Sequence, residues 1–269
     1  MRPAGAEERP PGAAWVESDQ GPACVIDEAP LLIEVGDQHV LTMRTPGDDL
    51  ALARGFLCAE GIVAPAAIAS LREFPRGEES PTDRVEVRLA EGVALGPVAR
   101  ERLTRAHAVR PSCGLCGLVS AEGLSAGLPE LGAGPQTTLA TLHACEARMR
   151  QGQVLFQATG GCHAAGVFDA ASGEPWAIRE DVGRHNALDK ALGACLAEGR
   201  DLSQATVILS GRAGYELVLK TLRLGVPVLA SVSAPTRLAV ELALEQDQTL
   251  VGFLRGQSGR IYAGAERLG

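Results

Sequence analysis

The segment Cys113-Gly114-Leu115-Cys116-Gly117 sets two thiols two residues apart. Such a pair can ligate a metal, close a disulfide, or share a nucleophilic sulfur. Metal ligation needs more ligands. No second Cys pair occurs, and Cys162-His163 fits no zinc spacing. A thioredoxin-like pair lies between a strand and a helix of a βαβ unit. Here it opens a Gly-rich stretch, Pro111 to Pro135, with no helical pattern behind it. The expectation is a mobile, accessible thiol, with chance loop cysteines as the plain alternative.

Five further segments are suited to holding a ligand. Gly160 and Gly161, ahead of Cys162-His163, would admit a ligand close to the backbone, although a simple hairpin or bulge uses the same residues. Glu180-Asp181-Val182-Gly183-Arg184-His185, Ser210-Gly211-Arg212 and Ser233-Ala234-Pro235 each join an apolar run to a helical pattern. Helix starts present free N–H groups and a positive dipole end, so they attract anions. In an open α/β sheet such junctions gather at one edge. Together they suggest a phosphate- or pyrophosphate-bearing ligand; ordinary capping explains any one alone. Glu180, Asp181 and Asp189 can meet ribose or base edges, or pair with Arg184 or Lys190. Phe253-Leu254-Arg255-Gly256-Gln257-Ser258 combines an aromatic for stacking with an Arg for phosphate, or is a plain hairpin.

The elements that must position these groups follow from pattern. The 269 residues suit one large or two modest domains. Aromatics are 3%, so Leu, Val, Ile and Ala must fill the core. The net charge of −8 argues against a nucleic-acid coat. No apolar run is long enough to span a membrane, and the first residues lack the apolar core of a secretory signal. Seven cysteines without such a signal predict reduced thiols and a cytoplasmic location.

Residues 1–20 read as a disordered tail, with order from about Ala23. Residues 21–110 read as a small α+β domain: a hairpin from Leu31–Val35 and His39–Met43, a helix capped by Asp48, and an alternating strand at Arg84–Leu89. Residues 111–135 are the flexible CxxC loop. Residues 136–269 read as an α/β domain. Its helix behind Thr138 is followed by expected strands at Val154–Ala158 and His163–Phe168. Strand–helix alternation then runs from Trp176 to Ala263, with Pro235 in the first turn of the last helix.

RPSCGLCG, ATGGCHAAGVFD, REDVGRHNALDKALG, LSGRAGYE, SVSAPTRLAVELA and GFLRGQSGRIY, in this order, resemble the formate dehydrogenase accessory sulfurtransferase family, FdhD. The resemblance covers residues 25–263. It implies a cytidine-deaminase-like α/β core. It implies a sulfur carrier that takes persulfide sulfur from a cysteine desulfurase. The recipient is the molybdenum bis-guanine-dinucleotide cofactor, bound as substrate and destined for formate dehydrogenase. GDP- or GTP-like nucleotides would mimic that cofactor, and no structural metal is implied. The persulfide maps onto Cys113, with Cys116 its partner, and cofactor binding onto Phe253 to Ser258. The family suggests a homodimer, with no membrane or nucleic acid as partner. Where the family commonly has Ser before the Glu of its SGR segment, this chain has Gly214-Tyr215-Glu216. The deaminase zinc signature is absent, so the fold does not carry deaminase activity. Two rivals remain: a thiol–disulfide oxidoreductase and a non-catalytic guanine-nucleotide-binding regulator.

Overall fold

The computed structural model describes residues 9–77, 80–107 and 127–269. Cys113 and Cys116, with most of the CxxC segment, lie outside the described residues.

The expected α+β unit forms a four-stranded sheet in the order β4-β3-β6-β5. Strands β3 (Ala29–Val35) and β4 (Gln38–Arg44) make the predicted hairpin, and β6 (Asp83–Leu89) lies parallel to β3. Strand β5 (Ile68–Phe74) closes the far edge. Leu31, Ile33 and Val35 alternate onto one face and bury against Leu52 and Leu57 of α1 (Asp49–Ala59) and Leu103 of α2 (Pro97–His107).

Asp48 does not cap α1. Gly47 and Asp48 both have positive φ, which turns the Asp48 side chain toward Arg179, 3.1 Å away. Glu73 of β5 takes the Leu50 N–H instead, at 3.2 Å.

The tail expectation needs correction within the described part. Ala13–Ser18 (β1) pairs antiparallel with Gly21–Ile26 (β2), from Ala13↔Ile26 to Ser18↔Gly21. The polar, Pro-rich stretch before it masks a strand whose stability comes from its partner. The hairpin also packs against the later chain: a Cβ on Gly161 would lie 3.3 Å from Ile26.

The larger sheet runs β12-β11-β10-β9-β7-β8. Strands β9 (Ala205–Leu209), β10 (Val228–Ser231) and β11 (Thr249–Arg255) are mutually parallel. Strand β7 (His163–Asp169) is antiparallel to both neighbours, β9 and β8 (Pro175–Asp181), and β12 (Ser258–Ala263) is antiparallel to β11. Every residue of β9 is buried, as expected for a strand covered on both faces. Val207 and Leu209 face α5 (Arg184–Ala197), α6 (Tyr215–Arg223) and α7 (Arg237–Glu245); Ile208 faces α3 (Leu139–Gln151). The fold is a three-layer α/β arrangement with the α+β unit docked on it through α1 and α5. There the helix backbones touch: a Cβ on Gly55 would fall 1.8 Å from the Asp189 carbonyl oxygen.

Thr138 caps α3 as expected, accepting the Thr141 N–H at 3.0 Å. Val154–Thr159 is a helix, α4, not a strand. Its apolar run has strand composition, but Glu180 accepts the Leu155 and Phe156 N–H groups at 2.8 Å each, and Gly160, at φ 66°, ends the turn. Pro235 precedes the last helix, where Thr236 is the cap and accepts the Ala239 N–H. The end of the Gly-rich stretch is held. Buried Arg267 donates to the Gly132 and Ala133 carbonyls at 2.6 and 2.9 Å. No helix among the described residues is long and apolar enough to cross a membrane.

Candidate functional site

Because β7 runs against its neighbours, its first residue lies at the same sheet edge as the last residues of β8, β9, β10 and β11. A cleft of about 770 Å³ opens there. Its floor carries little side chain: Gly160 and Gly161 before β7, Gly211 after β9, and Gly256 in the β11–β12 turn. Gly160 and Gly256 also need their left-handed backbones, at φ 66° and 57°. A volume near this size is ordinary for a small-molecule site.

Arg255 lines one side. Its Nε donates to the Val232 carbonyl at 2.8 Å, which aims the guanidinium while leaving other N–H groups open. The facing wall is α3 and α4. There Glu146, nearly buried, takes a forked pair of bonds from Arg150, and Phe156 projects beside them.

Cys162 and His163 form the back of the cleft. The Cys162 thiol donates to Glu180 at 3.2 Å. Burial first, then Glu180, raises its pKa, so it stays a neutral thiol. Burial also lowers the His163 pKa, with Arg184, His185 and Arg212 adding positive charge in the same sense and Asp181 opposing. Burial is the larger cause, and Arg184 and Arg212 add positive charge near His163 in a chain of net charge −8. Among the described residues, neither Arg184 nor Arg212 pairs with a carboxylate. The helices they introduce start at Gly183 and Gly214, which offer no capping side chain. Their first N–H groups face an anion more freely than those of α7, which Thr236 caps.

Several expected contacts are placed elsewhere. Asp181 is fully buried and spent on Lys190 at 2.8 Å and the Thr45 N–H at 3.0 Å, so it does not meet a ribose. Asp189 pairs with Lys220, and Glu180 holds α4. His185 lies 2.8 Å from Glu216 and outside the cleft lining. Ser210 lines the cleft, but its hydroxyl oxygen accepts the Ala164 N–H at 2.9 Å and ties β9 to β7. The Ser233 carbonyl accepts the Phe253 N–H at 3.1 Å and shapes the neighbouring loop. Leu254 is core, packed in the cluster that includes Leu142 and Met149. Phe253, exposed and at φ 54°, projects outward; Gln257 lies in the exposed turn beyond it, and Ser258, also exposed, opens β12. Glu146 and Arg150 carry a sequence signal only as an i, i+4 Glu–Arg pair, and Phe156 carries none.

Comparison with known proteins identifies the family. Residues 26–269 match the model of the FdhD/NarQ family. A sulfur carrier protein FdhD from Nocardia farcinica is 43% identical over 250 residues, covering 90% of this chain and 86% of that one. The Mycolicibacterium paratuberculosis sulfur carrier protein FdhD is 44% identical over 256 residues, covering 92% and 93%. A crystal structure from Desulfotalea psychrophila, of a protein provisionally assigned as a formate dehydrogenase accessory protein, shares the fold. Its TM-score is 0.72 at 22% identity, over 95% of this chain and 97% of that one.

Proposed function

The chain belongs to the FdhD/NarQ family, and from that premise we propose that it is a sulfur carrier for formate dehydrogenase maturation. In this reading it accepts persulfide sulfur from a cysteine desulfurase and passes it to the molybdenum bis-guanine-dinucleotide cofactor, held as substrate. The observation that carries the ligand half is the glycine-floored cleft with Arg255 on its wall and the positive field of Arg184 and Arg212 on His163. Charge-assisted bonds from such groups suit pyrophosphate.

The carrier half rests on Cys113, since only a thiolate both attacks a persulfide and keeps the sulfur in transferable form. The Cys113 thiolate attacks the outer sulfur of the donor persulfide. The donor's inner sulfur leaves as a thiolate, and Cys113 becomes the persulfide. Cys116, two residues on, would assist, resolve or protect it. Of the remaining cysteines, Cys58, Cys145, Cys162 and Cys195 are buried with raised pKa values and do not compete.

The deciding experiment is intact mass after incubation with a cysteine desulfurase and cysteine. The carrier gains one sulfur, lost in Cys113→Ala, while GDP binding survives that substitution. An oxidoreductase instead cycles a Cys113–Cys116 disulfide as its working state. A regulator binds GDP and accepts no sulfur. Formate dehydrogenase activity restored by Cys113→Ala in cells lacking the native accessory protein would rule out Cys113 as carrier.

A further inference from the structure

Aromatic side chains are scarce here: two Trp, two Tyr and five Phe. Phe156 and Phe253 alone among them stand out as exposed, at 46% and 38%. Arg260 lies over the Phe253 ring, 5.8 Å from its centre. Among the described residues no cation covers Phe156, which faces the cleft. A bare Phe in a site forgoes the favourable burial of its ring unless something covers it.

The helix that presents Phe156 is fixed rather than incidental. Glu180 accepts the N–H groups of Leu155 and Phe156, and the Gly160 N–H returns to the Phe156 carbonyl at 2.7 Å. Leu155, half-buried, packs toward Gly12 beside the N-terminal hairpin, while the next side chain, Phe156, lines the cleft. Around Phe156 are groups that complement a flat polar ring. Arg150, well exposed, offers a donor for its edge, and Gly160 leaves open space. Phe carries no polar atom, so what it offers a ligand is its face.

Resting on the nucleotide-binding reading of this cleft, we propose that Phe156 is the stacking platform for a planar nitrogen heterocycle of the ligand, guanine or pterin. Arg255 and the positive helix starts take the phosphates, and Phe156 takes the ring.

The test compares wild type, Phe156→Leu and Phe156→Trp by calorimetry with GDP, inorganic pyrophosphate and neopterin. Leu keeps the apolar bulk and removes the ring face. Loss of one stacked base weakens binding by roughly tenfold or more. Phe156→Leu is expected to lose that factor for GDP while pyrophosphate binds as before. Phe156→Trp is expected to retain GDP and to show tryptophan fluorescence quenched by GDP and not by pyrophosphate. It also keeps the test valid should the Leu variant fold poorly. The same loss for neopterin with GDP unaffected assigns the ring to the pterin end. Equal GDP and neopterin affinities in wild type and Phe156→Leu overturn the stacking role and leave the phosphate site intact. Wild type binding none of the three overturns this proposal together with the nucleotide reading.

Discussion

Lys220 Nζ lies 2.7 Å from Asp189 Oδ2, with both side chains under 5% exposed. The same ammonium reaches Glu60 at 2.8 Å. One buried charge thus joins α6 to α5 and to the end of α1, across the seam between the α+β unit and the α/β layer.

Removing that ammonium should leave Asp189 buried without its cation, while Glu60 keeps Arg223 at 3.3 Å. Lys220→Met is expected to lower the unfolding free energy by about 3–5 kcal/mol, the usual cost of breaking a buried pair from one side. The double variant Lys220→Met/Asp189→Leu should recover part of it. Urea denaturation of both reads this directly; a single variant as stable as wild type would show that the pair contributes nothing to docking.

The N-terminal hairpin should matter to stability. Deleting residues 1–20 removes β1, exposes the edge of β2 and uncovers Leu155 of α4. A loss of about 2 kcal/mol is expected, roughly 4–8 °C in melting temperature for a chain of this size. GDP affinity should weaken as well, since α4 forms the cleft wall. An unchanged melting temperature would mean that the hairpin rests on the protein without supporting it.

Thiol reactivity should separate the cysteines sharply. Burial pushes Cys58 up to about 11 and Cys145 and Cys195 up to about 12, and raises Cys162 further. In a Cys113→Ala/Cys116→Ala variant at neutral pH, iodoacetamide should label Cys24, which is half-buried, well ahead of the other four. Peptide mass spectrometry gives the order; Cys162 reacting as fast as Cys24 would contradict its pairing with Glu180.

Ligand binding should take up a proton. His163 has its pKa lowered by burial and then by its cationic neighbours, so it is neutral at pH 7 and its protonation on acidification opposes the folded state. A diphosphate in the cleft offsets those positive charges and favours the imidazolium. GDP binding near pH 6 is therefore expected to show calorimetric heats that vary with buffer ionisation enthalpy. His163→Gln should reduce the variation, leaving only what the terminal phosphate of GDP, itself titrating at about pH 6, contributes. Identical heats across buffers for wild type would place the phosphates away from His163.

Much of the machinery was legible in the chain. Periodicity marked β3, β4, β6 and the strands from Pro175 onward, because alternation and helical spacing are local properties. The junctions at Gly183-Arg184 and Ser210-Gly211-Arg212 were legible as helix starts for the same reason, whereas their lack of a capping side chain was not. Tertiary structure decided the rest. Val154–Thr159 has strand composition and becomes helix because a carboxylate on β8, Glu180, takes its first N–H groups. Asp181 resembles a ligand contact and is consumed by Lys190 and Thr45, a pairing that depends on where α5 and the β4–α1 loop meet. The antiparallel run of β7 leaves no mark in its residues, yet it brings Gly160, Gly161 and His163 to the strand ends. Local sequence sets which backbone shapes are favourable. Which polar groups are left open to a ligand depends on partners distant in the chain, and those are fixed only once the layers pack.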